Sequence, residues 1–271
     1  MAAIGELSLP ALDILWNDLA LGGLPFPLEV RSHGDTVEER ARLRGVVYEQ
    51  LDRRGLMAAG RPAAGLAQTL RLLARPKISI DLVGLGALTD AQPLRAIVAA
   101  RGKHAVLAVQ RDLAVRLTPV RDTAIVESIV ELLPHIRSGP GQSVSLPAAR
   151  FSAQPATKIG RHRRTEGAER NGNGGVLRTA TQSDHTTQLR FLDSVLERPI
   201  LRAGSIGMML RDESGKLQRL PGVGYFDTDR GRYVTSTARG SDGQDWTTLS
   251  PMDNPRLVHR LTETLVVGLR R

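Results

Sequence analysis

The residues with the best claim to chemistry in this 271-residue chain form five small groups. Val83-Gly84-Leu85-Gly86-Ala87-Leu88 follows an apolar run, as the phosphate-cradling turn of a dinucleotide site would. It lacks the third glycine, and Pro93 interrupts before any helix long enough to present its N-terminus to a pyrophosphate. A strand-to-loop turn is the better reading. Asp227, Thr228 and Asp229 could bind a divalent ion, but Arg230-Gly231 follows at once and marks a hairpin turn. Ser241-Asp242-Gly243 sits in a polar loop without the strand-to-helix elbow of a nucleophile turn. The histidines, His33, His104, His135, His162, His185 and His259, show no paired metal spacing. Arg161-His162-Arg163-Arg164 could contact phosphates, although no aromatic residue is interleaved to stack on bases. No catalytic residue, cofactor or metal is therefore expected.

Composition narrows the classes further. There is no cysteine, which excludes disulfides, thiolate zinc and a cysteine nucleophile. The net charge of +9 invites an acidic partner or nucleic acid. Its densest local excess is Lys158, Arg161, Arg163, Arg164 and Arg170 within residues 157–171. No apolar run reaches the roughly 18 to 20 residues of a membrane span, and no signal peptide is evident, so a cytoplasmic address is expected.

The elements that must position these groups occur twice. Arg75-Pro76, the apolar run Ile78 to Val83, paired runs across Arg101-Gly102, then Thr118-Pro119 and a helical tail are followed later by the same order. There the landmarks are Arg198-Pro199, a run around Ile206 to Leu210, paired runs across Arg230-Gly231, then Ser250-Pro251 and a second tail. Ile125, Val126, Ile129 and Leu133 match Leu257, Val258, Leu261 and Leu265 at one constant offset. The duplication predicts an α+β fold, a central antiparallel sheet with flanking helices in two pseudo-two-fold halves. The expected organisation is an N-terminal half (1–137), a flexible basic connection (138–182) and a C-terminal half (183–271), together one pseudo-symmetric domain.

Within the first half, helices are expected over Ala11 to Leu21, from a cap near Thr36 through Tyr48 and Leu51 to Gly55, and over Ala64 to Ala74. Leu24 to Val30, broken by Pro25 and Pro27, reads as an edge strand. Lys77 to Gly84, Leu94 to Arg101, His104 to Gln110 and Leu113 to Pro119 read as a meander, closed by a helix over Thr123 to Leu133 with Asp122 as its cap. In the second half Asp184 is expected to cap a helix from Thr186 to Glu197. Strands follow at Ser205 to Arg211, Gly222 to Thr228, Gly231 to Ala238 and Trp246 to Leu249, then a helix begins at Asn254-Pro255.

The stretch Arg95-Ala96-Ile97-Val98-Ala99-Ala100-Arg101-Gly102-Lys103-His104-Ala105-Val106-Leu107-Ala108-Val109, an arginine-glycine turn between apolar strands, resembles the corresponding hairpin of the EspG family of ESX (type VII) secretion-associated proteins. The resemblance extends to Leu9 to Val30, Val144 to Pro147 and Gly231 to Leu269, nearly the whole chain. It implies a cytosolic chaperone that binds the helical tip of PE–PPE pairs, keeps them soluble, directs them to secretion and performs no catalysis. The chain departs from the family in its Gly-rich, basic central connection and its short Gly84 to Pro93 loop. By position in that loop, Leu85, Leu88 and Asp90 are the candidate partner contacts. The alternative is a basic nucleic-acid-associated protein using residues 157–171. No homo-oligomer is inferred.

Overall fold

The computed structural model describes residues 5–152 and 180–270. The basic 157–171 stretch, with Arg161 to Arg164, lies outside the described residues. In chain order the first part holds β1 (Gly5–Ser8), α1 (Leu9–Asp18), α2 (Val37–Arg53), β2 (Met57–Ala58), β3 (Arg61–Pro62) and α3 (Ala64–Ala74). The strands β4 (Ile78–Leu85), β5 (Leu94–Arg101), β6 (His104–Arg111) and β7 (Ala114–Val120) follow, then a 3-10 turn and α4 (Ile125–Val130). The second part holds β8 (Val144–Pro147), α5 (Ala148–Ser152), α6 (Ala180–Leu196), β9 (Ile200–Arg211), β10 (Leu217–Thr228), β11 (Gly231–Arg239), β12 (Asp245–Pro251) and α7 (Asn254–Leu269).

One antiparallel sheet of 10 strands unites both parts, in the order β1-β7-β6-β5-β4-β9-β10-β11-β12-β8. The order reads as two copies of one pattern meeting at β4 and β9. In each, four strands follow one another as a meander, and a short strand from earlier in that part closes the far edge. Ser79-Ile80-Asp81-Leu82 matches Ser205-Ile206-Gly207-Met208 position for position, and Asp81 is also the direct cross-strand partner of Gly207. The pseudo-two-fold axis therefore passes between Asp81 and Gly207.

Period-two alternation sends most apolar side chains of β4 and β9 to one face. Ile80 and Leu82 of β4, with Ile206, Met208 and Leu210 of β9, join Ile125 and Ile129 of α4 and Leu257, Leu261 and Leu265 of α7 in a single core. On the opposite face, α1, α2 and α3 pack against Ile97, Ala99, Val106, Ala108, Val115 and Leu117 of β5, β6 and β7. The other end of that face is covered by Leu192 and Val195 of α6 over Leu146, Tyr233 and Leu249.

Several elements differ from expectation. Leu24 to Val30 is not a strand; Gln110 instead clamps it by a side chain, accepting from the Glu29 N–H (2.8 Å) and donating to the Glu29 carbonyl (2.7 Å). Strands β9 and β10 both start upstream of the predicted positions: β9 already pairs from Ile200, and a bulge between Leu220 and Val223 carries β10 through Pro221-Gly222. The expected cap at Thr36 does form, as a reciprocal capping box with Glu39 at the start of α2. Asp122 does not cap α4, which is shorter than expected and preceded by the 3-10 turn. The last helix is capped by Asp253, which accepts from the Arg256 N–H (3.0 Å). Helix α6 begins at Ala180, so Asp184 lies inside it.

Candidate functional site

The loop chosen from sequence joins β4 to β5. Leu85 is the last residue of β4 and Leu88 is half-buried in the turn. The Asp90 carboxylate accepts from the Ala87 N–H (2.7 Å) while its own N–H donates to the Ala87 carbonyl (3.0 Å), so this side chain fastens the turn. Gly86 allows it, since a Cβ there would lie 2.9 Å from an Asp90 oxygen. Leu85 and Asp90 help to line an open cavity of about 530 Å³, with Arg111, Arg202, Tyr225 and the segment after α4 at Leu133 and Pro134; Leu88 is not among its walls. Burial pushes the Tyr225 phenol up to about 12, so it stays protonated.

The Val83 to Leu88 glycines serve this packing rather than a phosphate. Gly84 is inside β4, where a Cβ would collide with the Tyr225 hydroxyl. The acidic triplet is divided in role. Asp229 sits in the turn and pairs with Arg198, whose guanidinium holds the carboxyl below its usual range. Asp227 is fully buried and takes both ends of the fully buried Arg232, at 2.6 Å to Nε and 3.0 Å to Nη2. Arg232 also donates to Asn254 and to the Pro134 carbonyl (3.2 Å), and lies 5.4 Å over the Tyr225 ring. Ser241-Asp242-Gly243 is part of a turn whose Asp242 accepts from Trp246 Nε1 (3.1 Å). Among the described residues no His, Asp or Glu group is arranged to hold a metal.

The feature that sequence reasoning did not locate is the middle of the sheet's second face. Helices α1 to α3 and α6 cover its two ends, and α4 and α7 lie on the other side. Between the covers, alternation presents Ser79, Asp81 and Val83 of β4, Ser205, Gly207 and Met209 of β9, and Gly224 beyond them on β10. None belongs to a hydrophobic cluster; Ser205 is exposed and Ser79, Asp81, Val83, Met209 and Gly224 are half-buried. Apart from Met209, the strip is built of small or short side chains, with glycine at 207 and 224, so a partner's backbone could come close to it. Leu85 continues its β4 row by alternation, which places the predicted loop at the end of the strip.

Asp81 is the acid in this strip. Burial pushes its carboxyl up, against the opposing influence of Arg219 and of the Gly207 N–H. Its oxygens lie over Gly207, where a Cβ would be 2.7 Å from each of them. A signal was available: Asp81 is the one charged residue in the apolar run Ile78 to Val83.

The arrangement offers a binding surface with no nucleophile and base brought together in it. No curated protein matches the chain. Among solved structures, that of the Mycobacterium tuberculosis type VII secretion system chaperone EspG5, in complex with a PE25-PPE41 dimer, shares the fold with a TM-score of 0.65. That likeness covers 96% of this chain and 95% of the other at 13% sequence identity. The EspG family model matches residues 8–263, from the end of β1 into the last helix, and with that span the chain belongs to the EspG family.

Proposed function

We propose that this protein is a cytoplasmic chaperone of type VII secretion that binds the helical tip of a PE–PPE-type pair, keeps it soluble and directs it to its secretion system without catalysis. One observation carries the reading: in an EspG-family fold, none of the described helices packs on the sheet face between the α1–α3 cover and α6, where most side chains are small. The end of a two-helix pair is narrow enough to enter between such covers and bury apolar area against the sheet. Val83 and Met209 supply apolar contact, Gly207 and Gly224 supply close approach, and Leu85 and Leu88 extend the surface at the strip's end. A soluble chaperone accords with the described residues, none of whose helices is long and apolar enough to cross a membrane.

Co-expression with PE–PPE-like pairs from the same genome, followed by size-exclusion chromatography with light scattering, tests the proposal. A complex of one chaperone with one pair is expected. Separate elution from every pair overturns it, and nucleic acid travelling with the protein peak would transfer the function to the 157–171 segment.

A further inference from the structure

Asp81 stands at the pseudo-two-fold axis, where the duplicated halves cannot both carry a carboxylate. Its symmetry mate is its own cross-strand neighbour, and two carboxylates on the axis would occupy the same space; Gly207 leaves room for one. The carboxylate that remains is poorly served. Among the described residues it has no salt bridge. On its face Arg95 is held 2.7 Å from Glu29, Arg101 donates to the Arg75 carbonyl and Arg211 to the Pro76 and Gly215 carbonyls, Lys77 stands four residues away just before the strand, and the exposed Arg219 acts on Asp81 without reaching salt-bridge distance. Ser79 and Ser205, the neighbouring side chains of the strip, are neutral.

Anything that docks on this strip removes the water that now solvates Asp81. An anion desolvated without a counter-charge disfavours the complex strongly, whereas one met by a cation contributes a charge-assisted hydrogen bond. Resting on the chaperone reading above, we propose that Asp81 is the specificity-determining contact of the open face and receives a lysine or arginine side chain from the tip of the client. A client whose tip presents a carboxylate or only apolar groups at that point is rejected, which makes this one residue a selector among otherwise similar helical pairs.

The test uses the pair that co-purifies with the wild-type chain and measures its affinity for Asp81→Asn, Asp81→Ala and Gly207→Ala by titration calorimetry. Asp81→Asn preserves shape and is the variant least disposed to misfold; circular dichroism confirms folding of all three. Loss of about tenfold to a hundredfold in affinity is expected for both Asp81 variants. Gly207→Ala, which drives the carboxylate out of its seat, should also bind more weakly. Replacing the client's cation by alanine should abolish the difference between wild type and Asp81→Asn. Equal affinity for wild type and both Asp81 variants overturns the inference while leaving the chaperone function standing. Retention by Asn with loss in Ala overturns the cationic partner in favour of a neutral donor. Failure of the wild-type chain to bind any pair overturns the function itself, and this inference with it.

Discussion

In the β5–β6 hairpin the residues one step from the closing pair are Ala100 opposite Ala105; in the β10–β11 hairpin the same position holds Asp227 opposite Arg232. All four are buried. The duplicated backbone has thus kept its register while one copy lost, or the other acquired, a charged centre. The surroundings show what that centre does. Arg232 reaches Asn254 at the start of α7 and the Pro134 carbonyl just after α4, so the second copy holds together helix ends drawn from both halves. A similar contrast lies two residues earlier. Val98 in the first copy stands where Tyr225 stands in the second, and Tyr225 requires glycine at both 84 and 204 to fit. Sequence duplication here preserves topology, and asymmetry is confined to a few side chains that give the halves different tasks.

The largest test of this contrast is to remove one charge. Arg232→Ala leaves Asp227 buried without a partner and should cost about 3 to 5 kcal/mol in chemical denaturation. Replacing both Asp227 and Arg232 by alanine, which copies the first hairpin, should cost less than Arg232→Ala alone. A double variant as unstable as the single would show that the alanine solution is not available to the second half. Next, Gly84→Ala should destabilise by about 1 to 3 kcal/mol through collision with the Tyr225 hydroxyl, and Tyr225→Phe should recover part of that loss in thermal melts.

Smaller effects are expected at the binding face. Leu88→Asp, half-buried at the end of the loop, should weaken client binding about fivefold in a titration while the melting curve stays in place. Smallest is the effect of Asp81→Asn on the free protein. Burial raises the folded carboxyl above its unfolded value, so the ionised form opposes folding. The penalty is fully present above the folded pKa and disappears as pH falls below the unfolded one. Asp81→Asn should therefore melt slightly higher than wild type at pH 7, with the gap closing below about pH 4. Opposite signs for stability and client affinity at this residue would mark it as a functional choice.

Much of the architecture could be read from pattern. The helix over Ala64 to Ala74 matches α3 because its apolar stripe ends cleanly before Pro76, and the β5–β6 hairpin follows from two apolar runs around Gly102. Where reading failed, a long-range partner had replaced a local rule. Pro221-Gly222 looks like a strand break but is a bulge held by β9, and Leu24 to Val30 alternates like a strand yet is held by Gln110. The acidic triplet was legible as a turn and not as an ion pair, although Asp227 and Arg232 stand one pair back from a two-residue turn and must lie opposite each other. The loop residues Leu85, Leu88 and Asp90 were chosen by position alone, and the strip was invisible because a covered and an uncovered sheet face show the same alternation until the helices are placed.

The ends of the sheet carry a consequence for how this protein behaves when crowded. Its outermost strands, β1 and β8, are each 4 residues long. Pro10 follows closely after the first, and Pro147, which has no N–H to offer, closes the second. A sheet this wide with long bare margins would invite other chains to add to it strand by strand. Here each margin is too short, and too soon turned into a helix, to seed a filament.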